Sequence, residues 1–308
     1  MYKVPILIAC MLAGCVVGGD DSDTEVEGST ASFIRSDNGK SLNGISLNGI
    51  SLNGVSLSGI AINSLAAAGK TVSGGALNAS ALNGTAITTL AVGSTWTATL
   101  SNGKTLPMRI DAASKGTGTN ADVGMYAVSY QTTTGWTRMC GSNTDGTPIL
   151  AIAALGTWNQ QSGVLNGGSY TSSTTLFTWG CRAKTIGKCV ELGYKPWAGR
   201  QTQLATCVRV LRGDYCGDGT ANTLDGQQLN VYDSSGIQTD TESWDKEAEW
   251  GPNGARCLSS KGEARFVQLK LPRPWCGGLL PTTSSCGTNF SLGSTMISEY
   301  AGATYVGP

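Results

Sequence analysis

The sequence contains no histidine among its 308 residues. Imidazole is the base of Ser-His-Asp and Cys-His sites and a common zinc ligand, so its absence excludes those hydrolases and every zinc site that relies on it. Charged residues are also few, at 14%, and the 21 basic residues are balanced by 21 acidic ones. A nucleic-acid-binding protein needs a cationic surface, so we expect no nucleic-acid partner.

Small and turn-forming residues are abundant instead, and 43 residues are glycine. This composition favours turns and short strands over long helices. Asn102-Gly103 lies between two strand-like runs and predicts a β-hairpin. Strand-like segments cover residues 95–100, 104–110, 124–130, 149–154 and 174–179. Because turn residues separate these segments, we predict a β-rich domain of sandwich or barrel form over residues 90–308.

Two later segments have the apolar spacing of short helices. Residues 182–192 place Ile186 and Val190 on one face and end at Gly193, a common helix terminator. Residues 201–212 place apolar side chains three and four positions apart along one face. The sequence therefore predicts a mainly β fold with two short helices that pack on the β-rich domain.

The first residues have the pattern of a bacterial export signal. The apolar run after Lys3 is too short to span a bilayer as a helix. It leads to Leu12-Ala13-Gly14-Cys15, which resembles the lipobox of bacterial lipoproteins. The resemblance implies cleavage before Cys15, acylation of that cysteine and stable attachment to a membrane. An ordinary signal peptide with a chance cysteine is the alternative.

The segment boundaries near the N-terminus follow from this pattern. Residues 1–14 are predicted to be the lipoprotein signal peptide. Residues 15–39 begin with small and acidic residues and are predicted to form a flexible acidic tether. Val16 stands where an aspartate favours retention in the inner membrane, so the sequence favours the outer membrane.

Residues 40–89 repeat in units of five. Leu42, Leu47 and Leu52 begin a series of apolar residues at one position of the unit, and Asn-Gly follows each of these three leucines. The pattern resembles the pentapeptide-repeat family, whose chains wind into a right-handed β-helix. Ile45 and Ile50 are bulkier than the residues that the family has two positions before the central leucine. A flexible spacer is the alternative.

Eight cysteines follow the lipobox, and they predict disulfides. They are Cys140, Cys181, Cys189, Cys207, Cys216, Cys257, Cys276 and Cys286. An even number in an exported chain indicates four disulfides, since the envelope beyond the inner membrane is oxidising. The sequence leaves the pairing open. A metal site of four cysteines would need closely spaced C-x-x-C pairs, which the sequence lacks.

Residues 207–219 read Cys-Val-Arg-Val-Leu-Arg-Gly-Asp-Tyr-Cys-Gly-Asp-Gly. This segment resembles the ADYC domain of bacterial exported proteins, which is named for an Ala-Asp-Tyr-Cys tetrapeptide. Similar short sequences at 177–181 and 247–257 extend the resemblance over about residues 170–260. Gly213 stands where the family has alanine. The resemblance identifies a domain but implies no activity.

Acids and amides in the same segment have the spacing of a calcium loop. Asp214, Asp218, Asn222 and Asp225 fall at positions one, five, nine and twelve, with a glycine at six. Cys216 stands at position three, where the loop needs an oxygen ligand. The alternative, which we prefer, is a disulfide-held turn whose polar side chains bond to the backbone.

Five carboxylates and two tryptophans lie within residues 240–250. Glu247 and Glu249, beside Trp244 and Trp250, form the acid pair and aromatic platform that a glycan hydrolase uses. The alternative is a turn or strand with solvated acids and tryptophans packed inward. We prefer this second interpretation because the pairing of the acids depends on the fold.

Taken together, these patterns concern attachment to a membrane, a spacer segment and disulfide cross-links. We predict a lipid-anchored cell-envelope protein that acts as a structural or binding module and needs no cofactor. Its expected partners are the membrane, through the lipid anchor, and an envelope protein or glycan. A carboxylate-based glycan hydrolase and a calcium-dependent binding module are the alternative functions.

Overall fold

The structure is a computed structural model. It describes residues 33–36, 60–61, 92–93, 95–99, 105–159, 161–173, 176–182, 184–223, 227–268 and 272–300. The predicted signal peptide and Cys15 lie outside the described residues, as do most of the predicted tether and most of the pentad repeat, for which a β-helix was predicted. The predictions made for those segments stay predictions.

The described residues form fifteen strands. They are β1 Phe33–Ser36, β2 Ile60–Ala61, β3 Thr95–Thr99, β4 Thr105–Lys115, β5 Gly124–Thr132, β6 Gly135–Arg138, β7 Ala151–Leu155, β8 Thr157–Trp158, β9 Tyr170–Thr171, β10 Leu176–Cys181, β11 Gln227–Asp233, β12 Asp245–Gly251, β13 Gly254–Ser259, β14 Thr282–Thr283 and β15 Met296–Tyr300. The mainly β class predicted from the composition is confirmed.

Three α-helices accompany the strands in the described part of the chain. They are α1 Thr185–Glu191, α2 Gln201–Arg212 and α3 Arg265–Gln268. The first two occur where the apolar spacing predicted them. The prediction of only two helices is corrected by α3, whose single turn is too short to give a periodic signal. Among the described residues, none of the helices is long and apolar enough to cross a membrane.

The strands are arranged in two larger sheets and one small one. The six-stranded sheet has the order β1-β11-β15-β12-β13-β14. The seven-stranded sheet has the order β2-β10-β7-β5-β4-β3, with β6 beside β5, and β8 pairs with β9. Strands β13 and β14 run parallel, whereas the other described pairs are antiparallel. The pairing of β3 with β4 confirms the predicted hairpin, whose turn residues lie outside the described part.

Two strands come from the segments before the β-rich domain. Phe33–Ser36, inside the predicted tether, forms β1 and pairs with β11. Ile60–Ala61, inside the pentad repeat, forms β2 and pairs with β10. Phe33, Ile34 and Ile60 are residues that favour strands.

The helices join the two larger sheets. Helix α1 packs on β7 and β10, and α2 packs on β12, β13 and β15. The helices also contact each other and share the disulfide between Cys189 and Cys207. One continuous cluster of buried side chains includes residues from both sheets and both helices. The strand pattern predicted that the sheets pack as a sandwich or a barrel. In the structure, α1 contacts strands of the seven-stranded sheet and α2 contacts strands of the six-stranded sheet, so the helix pair lies between the two sheets.

Candidate functional site

The eight cysteines from Cys140 onward form four disulfides, as predicted. The pairs are Cys140–Cys181, Cys189–Cys207, Cys216–Cys276 and Cys257–Cys286. Two of these bridges fix the segment after β13. Cys276 is bonded to the loop that follows α2, and Cys286 is bonded to β13 itself. The irregular segment between α3 and β15 is therefore covalently held against the helix and the six-stranded sheet.

Residues 213–216 connect the end of α2 to this disulfide framework. Gly213 ends the helix in the left-handed conformation, with φ 60° and ψ 37°. A Cβ atom there would lie 2.9 Å from the carbonyl oxygen of Asn222, so the turn favours glycine for two reasons. Each of the three residues that follow is held in a different way. Asp214 forms an ion pair, Tyr215 is buried in the core, and Cys216 forms a disulfide.

Asp214 forms a buried ion pair with Arg209 in the last turn of α2, and their side chains are 0% and 2% exposed. Its carboxylate also accepts backbone N–H bonds from Asp218 at 3.1 Å and Gly219 at 2.9 Å. Arg209 donates further bonds to the carbonyl oxygens of Gly167 at 2.7 Å and Pro252 at 3.1 Å. Burial raises the pKa of Asp214, and the Arg209 guanidinium acts in the opposite direction.

Two other members of the predicted calcium loop also bond to the backbone. Asp218 accepts the backbone N–H of Thr220 at 2.8 Å, and the Asn222 amide donates to the Gly213 carbonyl oxygen at 2.9 Å. Asp225 lies outside the described residues. The geometry is that of a turn held by its own side chains, in which a guanidinium already neutralises the first carboxylate of the series.

One group of potential metal ligands occurs within the described residues: Glu249, Cys257 and Cys286. The two sulfurs are bonded to each other in a disulfide. A metal-binding cysteine must be a thiolate, so this group does not supply a cysteine metal site in its disulfide form.

Glu247 lies on β12 at an irregularity in the pairing with β15 between Lys246 and Ala248. Its carboxylate accepts bonds from the Tyr215 hydroxyl at 2.5 Å and from the Ser298 hydroxyl at 2.7 Å. These bonds lie in the interior, because the exposed fraction of Glu247 is 1%.

Arg265 is the cationic partner of Glu247. Its Nε and backbone N–H donate to Glu247 at 2.9 and 3.0 Å, and both side chains are 0% exposed. Burial alone would raise the pKa of Glu247, but Arg265 and the other donors hold that pKa below its ordinary value. Arg265 also donates from Nη2 to the carbonyl oxygen of Val210 at 2.6 Å, so it binds the carboxyl end of α2.

Aromatic rings surround this ion pair. The ring of Tyr215 lies 5.0 Å from that of Trp250 and 5.1 Å from that of Phe266, measured between centroids. The Trp250 indole donates to the Ser298 hydroxyl at 2.8 Å. The fully buried ring of Trp250 therefore packs in the core, as the alternative to the hydrolase interpretation expected. That alternative also expected solvated acids, which is wrong for Glu247 and Glu249 because both are buried.

Glu249 has a different set of partners. It accepts the backbone N–H of Gly287 at 2.9 Å and the hydroxyl of Ser294 at 2.6 Å, in the segment before β15. Its side chain is fully buried. The structure therefore directs the carboxylates of Glu247 and Glu249 to two separate internal sites, and it does not bring them to one exposed cleft with Trp250.

Comparison with protein families decides the identity of this domain. The ADYC domain matches residues 89–264. The chain belongs to the ADYC domain family. The match begins well before the region of about residues 170–260 on which the sequence resemblance rested, so the ADYC domain includes most of the seven-stranded sheet. Searches of curated proteins and of solved structures find no match.

The ADYC tetrapeptide has a clear structural role in this chain. Gly213, at the alanine position, ends the helix. Asp214 neutralises Arg209, Tyr215 reaches Glu247 in the core, and Cys216 bonds to a residue beyond the matched region. Gly213 and Asp214 thus close the last turn of α2, and Tyr215 and Cys216 connect that end of the helix to β12 and to the segment after α3.

A second polar cluster lies on the six-stranded sheet at the end of the ADYC domain. Lys246 contacts the carboxylates of Asp240, at 3.1 Å, and of Glu299. The Asn230 amide donates to the same two carboxylates at 2.8 and 2.9 Å. Sequence reasoning missed this cluster because Asn230 and Glu299 are 69 residues apart and only the strand pairing unites them.

Several large apolar side chains are exposed beside the ADYC tetrapeptide and its disulfide. Trp275, next to Cys276, is 72% exposed, and Leu279 is 66% exposed. Leu165, at 88%, lies in a loop that bonds to the Asp218 carbonyl oxygen through Gly163. The sequence contains no periodic signal for these positions, which all lie in loops.

Proposed function

We propose that this protein is a lipid-anchored binding module of the bacterial cell envelope, attached to the outer membrane at Cys15. Its ADYC domain serves as a rigid support for a contact surface around Trp275. The observation that carries the proposal is the exposure of this tryptophan on a covalently fixed loop. An exposed indole at a fixed position is the kind of residue that dominates binding energy in protein interfaces.

The loop that carries Trp275 is held at several points. Cys276 bonds it to Cys216, directly after the buried Tyr215. Arg273 donates to the Leu280 carbonyl oxygen and to the Thr282 hydroxyl, both at 3.2 Å. A surface fixed in this way loses little conformational entropy on binding, which supports a role in recognition.

The interior supports the same proposal. Glu247 and Glu249 are each held by internal donors, and the lowered pKa of Glu247 is unlike that of a glycosidase acid, which must stay protonated. The fold therefore gives more support to binding than to carboxylate-based hydrolysis. The exposed apolar surface suits an envelope protein or the apolar face of a sugar as its partner.

We also infer how the N-terminal segments connect to this domain. Strands β2 and β3 stand at opposite ends of the strand order in the seven-stranded sheet, yet they contact each other. Such a contact supports a barrel-like form for that sheet. Since β2 belongs to the pentad repeat, the repeat would act as a spacer that docks on the domain at this point.

Photo-crosslinking in intact envelopes tests the binding proposal. A photoreactive residue replaces Trp275 in the full-length protein, and a second variant has the same residue at Trp136, which is 36% exposed on β6. We expect a specific adduct, with an envelope protein or with peptidoglycan, from position 275 and none from position 136. Equal labelling at both positions, or none at position 275, would contradict a contact surface there.

Lipid attachment is tested separately. We expect labelled palmitate to enter the wild-type protein and to be absent from the Cys15→Ser variant, which should leave the membrane fraction. Density-gradient separation should place the wild-type protein with the outer membrane. Palmitate incorporation that persists in Cys15→Ser, or a variant that stays membrane-bound, would disprove the anchor without affecting the test at Trp275.

A further inference from the structure

Lys246 and Glu299 face each other across two hydrogen-bonded strands. They are directly paired in the register of β12 and β15, so their side chains leave the sheet at neighbouring positions. The Lys246 ammonium contacts Oε1 of Glu299, whose side chain is 0% exposed, while that of Lys246 is 29% exposed. The strand pairing thus holds an amine against a buried carboxyl group.

A second carboxyl group adjoins this pair. Oδ2 of Asp240 lies 3.1 Å from Nζ of Lys246, and its side chain is 40% exposed. The amide of Asn230 donates to Oδ1 of Asp240 at 2.8 Å and to Oε2 of Glu299 at 2.9 Å. Asn230 therefore bonds to the same two carboxyl groups that the amine contacts.

The two oxygens of Glu299 have different surroundings. Oε2 accepts the Asn230 amide and also the backbone N–H of Trp244 at 3.3 Å. Oε1 faces Lys246 and the hydroxyl of Tyr232 at 3.4 Å. Two N–H donors directed at one oxygen are the arrangement that stabilises an oxyanion during acyl transfer.

We propose that Lys246 and Glu299 form an intramolecular isopeptide bond, with Asp240 as the proton relay. Nζ transfers one proton to Oε1 of Glu299, which gives a free amine and a neutral acid. The amine then attacks Cδ of Glu299 and passes a second proton to Asp240. A C–N bond forms, and negative charge develops on Oε2 beside its two N–H donors. The C–Oε1 bond then breaks, and Oε1 leaves as water with the proton returned by Asp240. Overall, one ammonium and one carboxylate give one amide and one water, and no other reactant is needed.

Proximity and burial both favour this reaction. Groups held in contact by a rigid scaffold react as if at a very high effective concentration. The carboxylate of Glu299 is removed from solvent, and conversion to an amide eliminates the cost of keeping a charge there. The bond would join β12, inside the ADYC match, to β15, which lies beyond it.

Peptide mapping of the full-length protein tests the proposal. After denaturation, reduction, alkylation and trypsin digestion, cleavage after Lys246 would release separate peptides 213–246, 247–256 and 271–308. An isopeptide bond blocks that cleavage and joins 213–256 to 271–308, with a mass lower than their sum by one water. We expect the joined peptide, with fragment ions that locate the link at Lys246 and Glu299.

Variants separate the reactants from the relay. Lys246→Arg keeps the positive charge, and we expect it to form no link. Glu299→Gln should give the same joined mass, because ammonia leaves in place of water. Asp240→Asn keeps both reactants, and we expect it to slow the formation of the link by about 100-fold or more through loss of proton transfer.

The chain contains a matched comparison for this chemistry. Lys195 also contacts a carboxylate, that of Asp122, but this carboxylate is 51% exposed, and the lysine's other described partner is a backbone carbonyl oxygen, that of Thr119. We expect trypsin to cleave after Lys195 in the same digest. Complete cleavage after Lys246 in the wild-type protein, with 271–308 recovered as a free peptide, would overturn the proposal.

Discussion

The hydroxyl of Tyr215 donates a hydrogen bond of 2.5 Å to Glu247 in the interior of the protein, where each residue is 1% exposed. Tyr215 comes from the loop after α2, and Glu247 comes from β12. Arg265, on α3, binds the same carboxylate and the end of α2. This bond therefore lies where one helix end, one strand and one isolated helical turn meet.

The first prediction concerns the ion pair of Arg265 and Glu247. Arg265→Met leaves a buried carboxylate without its cation, so we expect the free energy of unfolding to fall by about 3–5 kcal/mol. Replacing both partners, in Arg265→Met with Glu247→Leu, should recover much of this loss because no charge remains buried. Denaturant unfolding measures the free energy of unfolding of the single and of the double variant.

The control for this experiment is the partly exposed pair of Arg182 and Glu191, at 16% and 20% side-chain exposure. Arg182→Met should cost about 1 kcal/mol or less from the lost ion pair, since solvent screens it. Equal losses for Arg182→Met and Arg265→Met would contradict the importance assigned to burial.

The second prediction is a pH dependence that arises from Glu247. Its pKa is held below the ordinary value in the folded protein, so near that value the unfolded chain binds more protons. The stabilisation is complete above the unfolded pKa and is lost as the pH falls through the folded pKa. Between about pH 5 and pH 3, Glu247→Gln should therefore lose less stability than the wild-type protein. Parallel acid-unfolding curves would be inconsistent with this.

The third prediction concerns the left-handed turn after α2. Gly213→Ala restores the residue found in the family but adds a Cβ atom close to Asn222 at positive φ, so we expect a loss of about 2 kcal/mol. Gly199 has a similar φ of +75° with open space around its Cα. Gly199→Ala should cost only about 1 kcal/mol. A smaller effect at Gly213 than at Gly199 would show that the turn relaxes.

The fourth prediction concerns the bridge between Cys216 and Cys276, which spans 60 residues. Replacing both cysteines with alanine should lower the free energy of unfolding by about 4 kcal/mol, by loop-closure entropy. The 18-residue bridge between Cys189 and Cys207 should contribute about 3 kcal/mol. Removal of the first bridge should also abolish any photoadduct formed at Trp275, because the loop is no longer fixed.

The fifth prediction concerns calcium. Because Arg209 already neutralises Asp214, we expect the thermal midpoint to be the same with calcium and with a chelator. Asp214→Asn should lower that midpoint through loss of the ion pair, without creating any calcium response. A rise in the wild-type midpoint that saturates with calcium concentration would revive the calcium-loop hypothesis.

Local patterns predicted the elements that depend on neighbouring residues. Helices α1 and α2 follow from apolar residues at helical spacing, and the hairpin of β3 and β4 follows from Asn102-Gly103 between two strand-like runs. The number of disulfides followed from an even count of cysteines. In each case the decisive interactions lie within a few residues or depend on composition alone.

Local patterns could not predict which residues far apart in the sequence contact each other. Arg265 stands 18 residues from Glu247 in a segment without periodicity, and Lys246 meets Glu299 only through the register of β12 and β15. The irregularity in β12 near Glu247 also interrupts the alternation of side chains between the two faces of the strand. The sequence therefore did not show that Glu247 and Glu249 have separate partners.

The connectivity of the disulfides has a consequence for how the chain acquires them. The bridges 140–181 and 189–207 each join cysteines that are consecutive in the sequence, whereas 216–276 and 257–286 interlock. An oxidant that pairs cysteines in order from the N-terminus makes the first two correctly and then joins Cys216 to Cys257. Under such an oxidant, the C-terminal half reaches its native pairs only through thiol–disulfide exchange, by an isomerase or a free thiol, whereas the first two bridges need no exchange.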